Sequence, residues 1–269
     1  MSSIARRARV ASAVFASVSV VLIGTGVLAS GSAGASLALE YHAKAVNVRR
    51  PSVTSRASEV LAGVNAAAER GLVATPRDGG GLTVYDAPGA TVASQVLPAT
   101  NELGSPLTFL TVSRQPGWFE VLLPIRPNGS TAWVPADAVV VNAPTVRVEI
   151  SLAAHELRLL RVGDGAVLLT SPVGIGAPDR PTPTGRFFVR DLFPTSGANH
   201  PYGPMAFGLS GHSDVLTHFG TGDGRIAIHG TNQPSSIGAD ASNGCVHVPN
   251  DIDAALEQYL SLGTPVVIS

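Results

Sequence analysis

Two residues of this sequence have the chemistry and the surroundings of a nucleophile and its base. Cys245 is the only cysteine among 269 residues, so it closes no internal disulfide. His229 stands 16 residues upstream. Both lie in polar, glycine-bearing stretches, His229-Gly230-Thr231 and Ser242-Asn243-Gly244-Cys245-Val246-His247. A thiol attacks as its anion, and a neighbouring imidazole that takes the proton makes it competent near neutral pH. The pattern therefore predicts a thiolate–imidazolium pair working in acyl transfer through a thioester. The backbone N–H groups of Gly244 and Cys245 are candidates for holding an oxyanion. Disulfide exchange is excluded, because no second cysteine resolves a mixed disulfide. A zinc site from His218, His229, His247 and Cys245 fits no common ligand spacing, so neither metal nor other cofactor is expected.

These residues need elements to hold them. Arg225 to Ile228 reads as a strand that delivers His229, and Cys245 to Val248 as a second strand. Period-2 alternation puts Cys245 and His247 on one face. Val146 to Ile150 alternates as a half-buried strand. Glu156 to Val162 and Ala166 to Thr170 flank Gly163-Asp164-Gly165, a hairpin signature. Arg186 to Val189 and Pro265 to Ile268 add further strands. One helix is expected over Asp251 to Leu262, opened by Asn250 or Asp251, with Ile252, Ala255, Leu256 and Tyr259 on its apolar face. The Gly/Pro-rich stretch Leu192 to Ser213 reads as a long loop over the cleft. His155, His200 and His212 are expected in loops or turns. Residues 145–269 are thus a mostly-β domain with one helix near the C-terminus.

Upstream the texture changes. Residues 77–142 hold short β-like runs, Leu82 to Tyr85, Leu107 to Val112, Trp118 to Leu123 and Thr131 to Val134, separated by Gln115-Pro116-Gly117 and Pro127-Asn128-Gly129 turns. Gly117-Trp118-Phe119-Glu120-Val121 and Ala132-Trp133-Val134-Pro135 resemble bacterial SH3-like domains, small β-barrels. Trp118 and Trp133 are expected as core aromatics. Residues 36–76 read as a spacer with one helix, Ala57 to Glu69. Residues 1–35 read as an export signal or membrane anchor: Arg6, Arg7 and Arg9 precede an uncharged run from Val10 to Leu28, with Ala33-Gly34-Ala35 as a cleavage site. The chain is expected outside the cytoplasm, in the periplasm or cell wall, and at the membrane only if that segment stays uncleaved. With 18 basic against 19 acidic residues, nothing points to nucleic acid.

His229-Gly230-Thr231-Asn232, Ser236-Ile237-Gly238 and Ser242-Asn243-Gly244-Cys245-Val246 resemble the L,D-transpeptidase (YkuD-type) catalytic domain. Pro181-Thr182-Pro183-Thr184-Gly185-Arg186-Phe187, Val173-Gly174 and His218-Phe219-Gly220 also fall where that family has similar residues. The resemblance implies a β-sandwich-like fold and peptidoglycan stem peptides as substrate. Cleavage of the L,D bond of a tetrapeptide stem releases D-Ala, and the acyl group passes to an amine in a 3-3 cross-link. It further implies Cys245 as nucleophile and His229 as general base, oriented by the Gly230 carbonyl. Ser242, Gly244 and Thr231 shape the site, and His218 and Asn243 bind substrate. Covalent inhibition by carbapenem-type β-lactams follows from the same thiol. One departure is His247, where the family usually has arginine. Histidine lacks that permanent fork of donors, leaving it a weaker supporting role. Two other readings stand beside this one: an L,D-carboxypeptidase with water as acceptor, and a non-catalytic wall-binding scaffold with a degenerate site.

Overall fold

The computed structural model describes residues 71–269, apart from residue 221. The signal or anchor expected at 1–35 and the helix expected over Ala57 to Glu69 lie outside the described residues. The described chain is mostly β and forms two modules, each with an apolar core of its own.

The first module contains β1 (Val73–Pro76), β2 (Leu82–Val84), β3 (Gln95–Leu97), β4 (Phe109–Gln115), β5 (Trp118–Leu122), β6 (Thr131–Pro135) and β7 (Val139–Asn142). Five strands form a sheet in the order β6-β5-β4-β1-β7, and β2 pairs with β3. Alternation sets the inner face: Leu82 and Val84 are buried around Thr83, and Ala132 and Val134 around Trp133. The sheet begins inside the stretch read as a spacer. Val73-Ala74 is a short apolar run closed by Pro76, too brief to signal a strand, yet β7 and β4 pair with it on both sides. The two tryptophans are half-buried and lie outside the core, with Trp118 edge-to-face on Tyr85 at 5.2 Å.

The second module contains β8 (Val146–Ser151), β9 (Glu156–Arg161), β10 (Val167–Pro172), β11 (Ile175–Gly176), β12 (Gly185–Pro194), β13 (Met205–His212), β14 (Arg225–His229), β15 (Asp240–Ser242), β16 (Val246–His247), helix α1 (Asn250–Leu256) and β17 (Pro265–Ile268). Eight strands form one mixed sheet in the order β10-β9-β8-β17-β12-β13-β14-β16. β12 changes partners along its length, pairing with β17 over Gly185–Phe188 and with β13 from Val189 onward. A register shift between Val189 and Asp191 marks the change, and there the sheet turns a corner. Val148, Leu157, Phe207, Leu209, Ile228 and Val246 from both halves meet in the core.

Three expectations fail here. Half of Leu192 to Ser213 is strand: β12 runs to Pro194 and β13 starts at Met205, leaving a loop of residues 195–204. Its glycines serve packing. A Cβ on Gly211 would collide with the Phe187 ring, and one on Gly208 would press on Asp191. His212 is consequently buried in β13, with Nε2 3.0 Å from Asp223 Oδ2. The helix ends at Leu256, six residues short of the expected Leu262, and Tyr259 is exposed. The chain beyond it turns toward β17, where Ser261 N–H donates to the Thr264 hydroxyl.

The modules share packing as well as a linker. Phe188 of β12, fully buried, packs with Leu110 and Leu122 of the first module. Gly263 has φ +85° and lies against Val73 and Thr108 with no room for a Cβ. Polar contacts reinforce this seam. Glu102 reaches from the first module to Arg190 (2.5 and 2.8 Å) and Arg225 (2.7 Å). The Arg190 hydrogen bond, with Arg225 adding to it, holds the Glu102 carboxyl far below the usual carboxylate range. Asn128 brackets His212, accepting its N–H at 2.9 Å and donating to its carbonyl at 2.7 Å. Phe188→Ala is expected to cost about 3–5 kcal/mol, the usual toll of an aromatic cavity. Denaturant unfolding followed by tryptophan fluorescence, which reports the first module, should register that loss although Phe188 lies in the second.

Candidate active site

β14 and β16 run parallel, with Ile228 opposite Val246 and His229 opposite His247. Ile228 and Val246 point into the core. Alternation then leaves Ala227, His229, Cys245 and His247 on the other face. The thiol and the imidazole thus share one face of neighbouring strands, His229 opposite His247 and Cys245 two positions before it.

Local bonds fix the turn that carries the thiol. The Ser242 hydroxyl donates to the Cys245 carbonyl at 2.6 Å and accepts the Gly244 N–H at 3.1 Å. Gly244 has φ +107°, a conformation that side chains with a Cβ rarely adopt. The N–H of Gly244, a candidate oxyanion donor, is directed here to the Ser242 hydroxyl. The preceding segments brace the same turn. Gly174 exchanges two backbone hydrogen bonds with His247, at 2.8 and 2.9 Å, and the Thr182 hydroxyl accepts the Gly176 N–H at 2.9 Å. Thr231 is buried, and Asn243 is exposed on the outside of the turn.

His229 is buried, with Nδ1 2.5 Å from the Gly230 carbonyl oxygen. A carbonyl only accepts, so Nδ1 carries the hydrogen and Nε2 the lone pair. Tyr202 packs edge-on against the ring at 4.7 Å, and the His247 ring tilts against it at 4.7 Å. His247 Nδ1 lies 2.9 Å from the Ser236 hydroxyl, which donates its own hydrogen to the Gln233 carbonyl at 2.8 Å. His247 is therefore also protonated on Nδ1 and faces outward with a free Nε2. Two neutral imidazoles sit together, and a proton on either opposes one on the other.

Desolvation works against a standing ion pair. Burial lowers the His229 imidazole to about 4; charge on His247 and His200 adds to this, and the Gly230 carbonyl opposes it. Burial pushes the Cys245 thiol up to about 11, against a backbone hydrogen bond from Ala227. Both shifts favour the neutral forms, with the imidazole buried and the thiol partly buried. Burial, then the Cys245 charge, also raises the Tyr202 phenol.

A cavity of about 1100 Å³ opens onto Cys245. Leu97, Leu103 and Ile125 of the first module line it on one side, and Phe193, Tyr202 and Phe219 of the second on the other. His218 is exposed, bonded to the Thr217 hydroxyl at 3.1 Å, and is not among the lining residues; its neighbour Phe219 is. Several site residues escaped the sequence reading. Tyr202 was hidden in the 195–204 loop, where His200, expected in a loop, also lines the cavity. Asn250 and Asp253 look like the opening of a helix, where Asn and Asp are common for local reasons. Their contacts with the Gly230 turn appear only in three dimensions.

The model of the L,D-transpeptidase catalytic domain family (YkuD) matches residues 145–268. A Bacillus subtilis relative named as the L,D-transpeptidase YqjB is 33% identical over 161 residues, covering 56% of this chain and 81% of the relative. A Bacillus licheniformis relative named as the L,D-transpeptidase YkuD is 32% identical over 123 residues, 46% of this chain. The chain spans 65% of that relative's length. Among solved structures, an L,D-transpeptidase from Mycobacterium smegmatis superposes with a TM-score of 0.39 at 16% identity, covering 60% of this chain and 90% of that one.

The neutral thiol makes a direct prediction. At pH 7 Cys245 should alkylate with iodoacetamide more slowly than a cysteine in an unstructured peptide, having about a hundredfold less thiolate. The rate should climb through pH 10 without a plateau. A plateau at or below pH 7 would mean that the thiolate is standing.

Proposed function

The chain belongs to the YkuD family of L,D-transpeptidases, and on that premise we propose that it is an exported cysteine acyltransferase that remodels peptidoglycan. Cys245 attacks the carbonyl of the third residue of a tetrapeptide stem while His229 Nε2 takes the thiol proton. The tetrahedral adduct collapses with that proton passing to the departing D-Ala amine, leaving a thioester on Cys245. A side-chain amine of a second stem then attacks the thioester. It gives its proton to His229, expels the thiolate and forms a 3-3 cross-link, and the proton returns to sulfur. The observation that carries this reading is the fixed imidazole. Its Nδ1–H is held by Gly230, so its basic nitrogen is left for the thiol on the same face.

The neutral resting pair suits such a cycle. Charge develops only when a substrate carbonyl is present to receive it, and the developing charges then stabilise one another. The cleft is large enough for an extended peptide, and the first module, with its SH3-like strand pattern, contributes a wall to it. Export, by way of residues 1–35, takes the enzyme to its polymer. The same thiol opens β-lactams of the carbapenem type, with the ring carbonyl in place of the stem carbonyl.

Purified protein incubated with disaccharide-tetrapeptide should yield free D-Ala and cross-linked dimers by mass spectrometry, and Cys245→Ala should yield neither. D-Ala without dimers would instead make the protein an L,D-carboxypeptidase with water as acceptor. A folded protein that releases no D-Ala would contradict the catalytic reading and leave the wall-binding scaffold.

A further inference from the structure

The Gly230 turn that orients His229 is itself gripped from below by the start of helix α1. Asp253 is fully buried; its Oδ2 accepts the Met205 N–H at 2.8 Å and lies against Gly230, whose backbone N–H helps to hold the carboxylate. Asn250 Oδ1 accepts the Thr231 N–H at 2.8 Å, and its amide donates to the Ala198 carbonyl at 3.1 Å. The two acceptors hold different peptide units. Asp253 Oδ2 lies against the unit joining His229 to Gly230. Asn250 takes the N–H of the unit joining Gly230 to Thr231, whose carbonyl is the one that receives His229 Nδ1–H. The fit is close enough to dictate residue 230: a Cβ there would strike Asn250 Oδ1 and crowd Asp253 Oδ2.

We propose that Asp253, with Asn250 beside it, is a positioning residue for His229, fixing the peptide carbonyl that selects the imidazole tautomer. A peptide N–H engaged by a strong acceptor makes its own carbonyl a better acceptor in turn. Asn250, which accepts the N–H of that same peptide unit, thereby strengthens the bond to Nδ1, and Asp253 seated against Gly230 fixes its direction. The inference rests on reading His229 as the general base.

A second feature makes the clamp testable. Asp253 Oδ1 is buried with no hydrogen-bond partner, a costly state for a carboxylate. Burial first, and the Glu257 charge last, push this carboxyl up to about 7, while the Met205 and Gly230 N–H groups oppose. Glu257 is the charged neighbour on its own helix, His229 faces it through Gly230, and from β13 the Met205 N–H reaches it. A carboxyl raised in the fold contributes stability that is fully present below its usual value near 4 and is lost as pH rises through about 7.

The test reads the His229 ring by nitrogen NMR across pH 5 to 9 in the full-length wild type, Asp253→Asn and Asp253→Ala. Asparagine keeps an acceptor for the backbone and removes the titration. The wild type should show the Nδ1–H tautomer with a chemical-shift step near pH 7. Asp253→Asn should keep the tautomer and lose the step. Asp253→Ala should mix the tautomers and lower kcat at least tenfold with little change in KM. A step that persists in Asp253→Asn, a wild-type ring with no step, or a folded Asp253→Ala with the wild-type tautomer would each overturn the proposal. If Asp253→Ala does not fold, the asparagine comparison decides alone. A wild type that fails to transpeptidate would count against the function proposed above, and the spectra would still decide the clamp.

Discussion

The hydrogen bond from His229 Nδ1 to the Gly230 carbonyl is the constraint on which the rest of the site depends. Histidine has two nitrogens and no intrinsic preference strong enough to assign them, so a fixed acceptor on one side decides which nitrogen is basic on the other. In many active sites a carboxylate plays that part. Here the acceptor is a neutral peptide carbonyl, 2.5 Å away and within the same turn of chain. A neutral acceptor stabilises an imidazolium less than a carboxylate would, and burial lowers the ring to about 4 despite it. The same choice keeps the thiol protonated, since no standing cation lies beside it. A site held by dipoles alone rests uncharged and separates charge only while a reaction proceeds.

That economy demands rigidity, and the fold supplies it from several directions. β14 and β16 set the two side chains on one face by register alone. Ser242 and Gly244 shape the turn into Cys245, Gly174 pins His247, and Tyr202 covers the imidazole. The first module is part of the same arrangement. Glu102 binds two arginines of the second module, and Phe188 is buried among leucines of the first. Both modules line the cleft, so a shift between them would change the space in front of Cys245.

The candidate thiol and histidine were legible because the chemistry proposed for them demands particular residue types next to glycine. Strand alternation was legible too, and it put Cys245 and His247 on one face correctly. What stayed hidden is instructive. β13 reads as loop because Gly208 and Gly211 are spaces for Asp191 and Phe187, a need visible only once those partners are placed. β1 is an ordinary strand whose sequence, ending at Pro76, carries almost no signal of its own; its two neighbours make it one. For the expected thiolate–imidazolium pair a different factor enters, burial, which favours both neutral forms. Residue types set what a pair is able to do, whereas burial sets its resting charge, and no local pattern reports burial of a turn enclosed by a loop from residues 195–204. Asn250 and Asp253 are the sharpest case, since they resemble helix-start residues and reach instead beneath the catalytic turn.

The central claim is that the thiol rests neutral beside a neutral imidazole. Infrared spectroscopy tests it most directly, because a protonated thiol has an S–H stretch in a region free of other protein bands, and this chain has one cysteine. The account predicts that band in the wild type at pH 7, and its absence in Cys245→Ala. A wild-type protein lacking the band at pH 7, with thiolate absorbance in the ultraviolet, would contradict it.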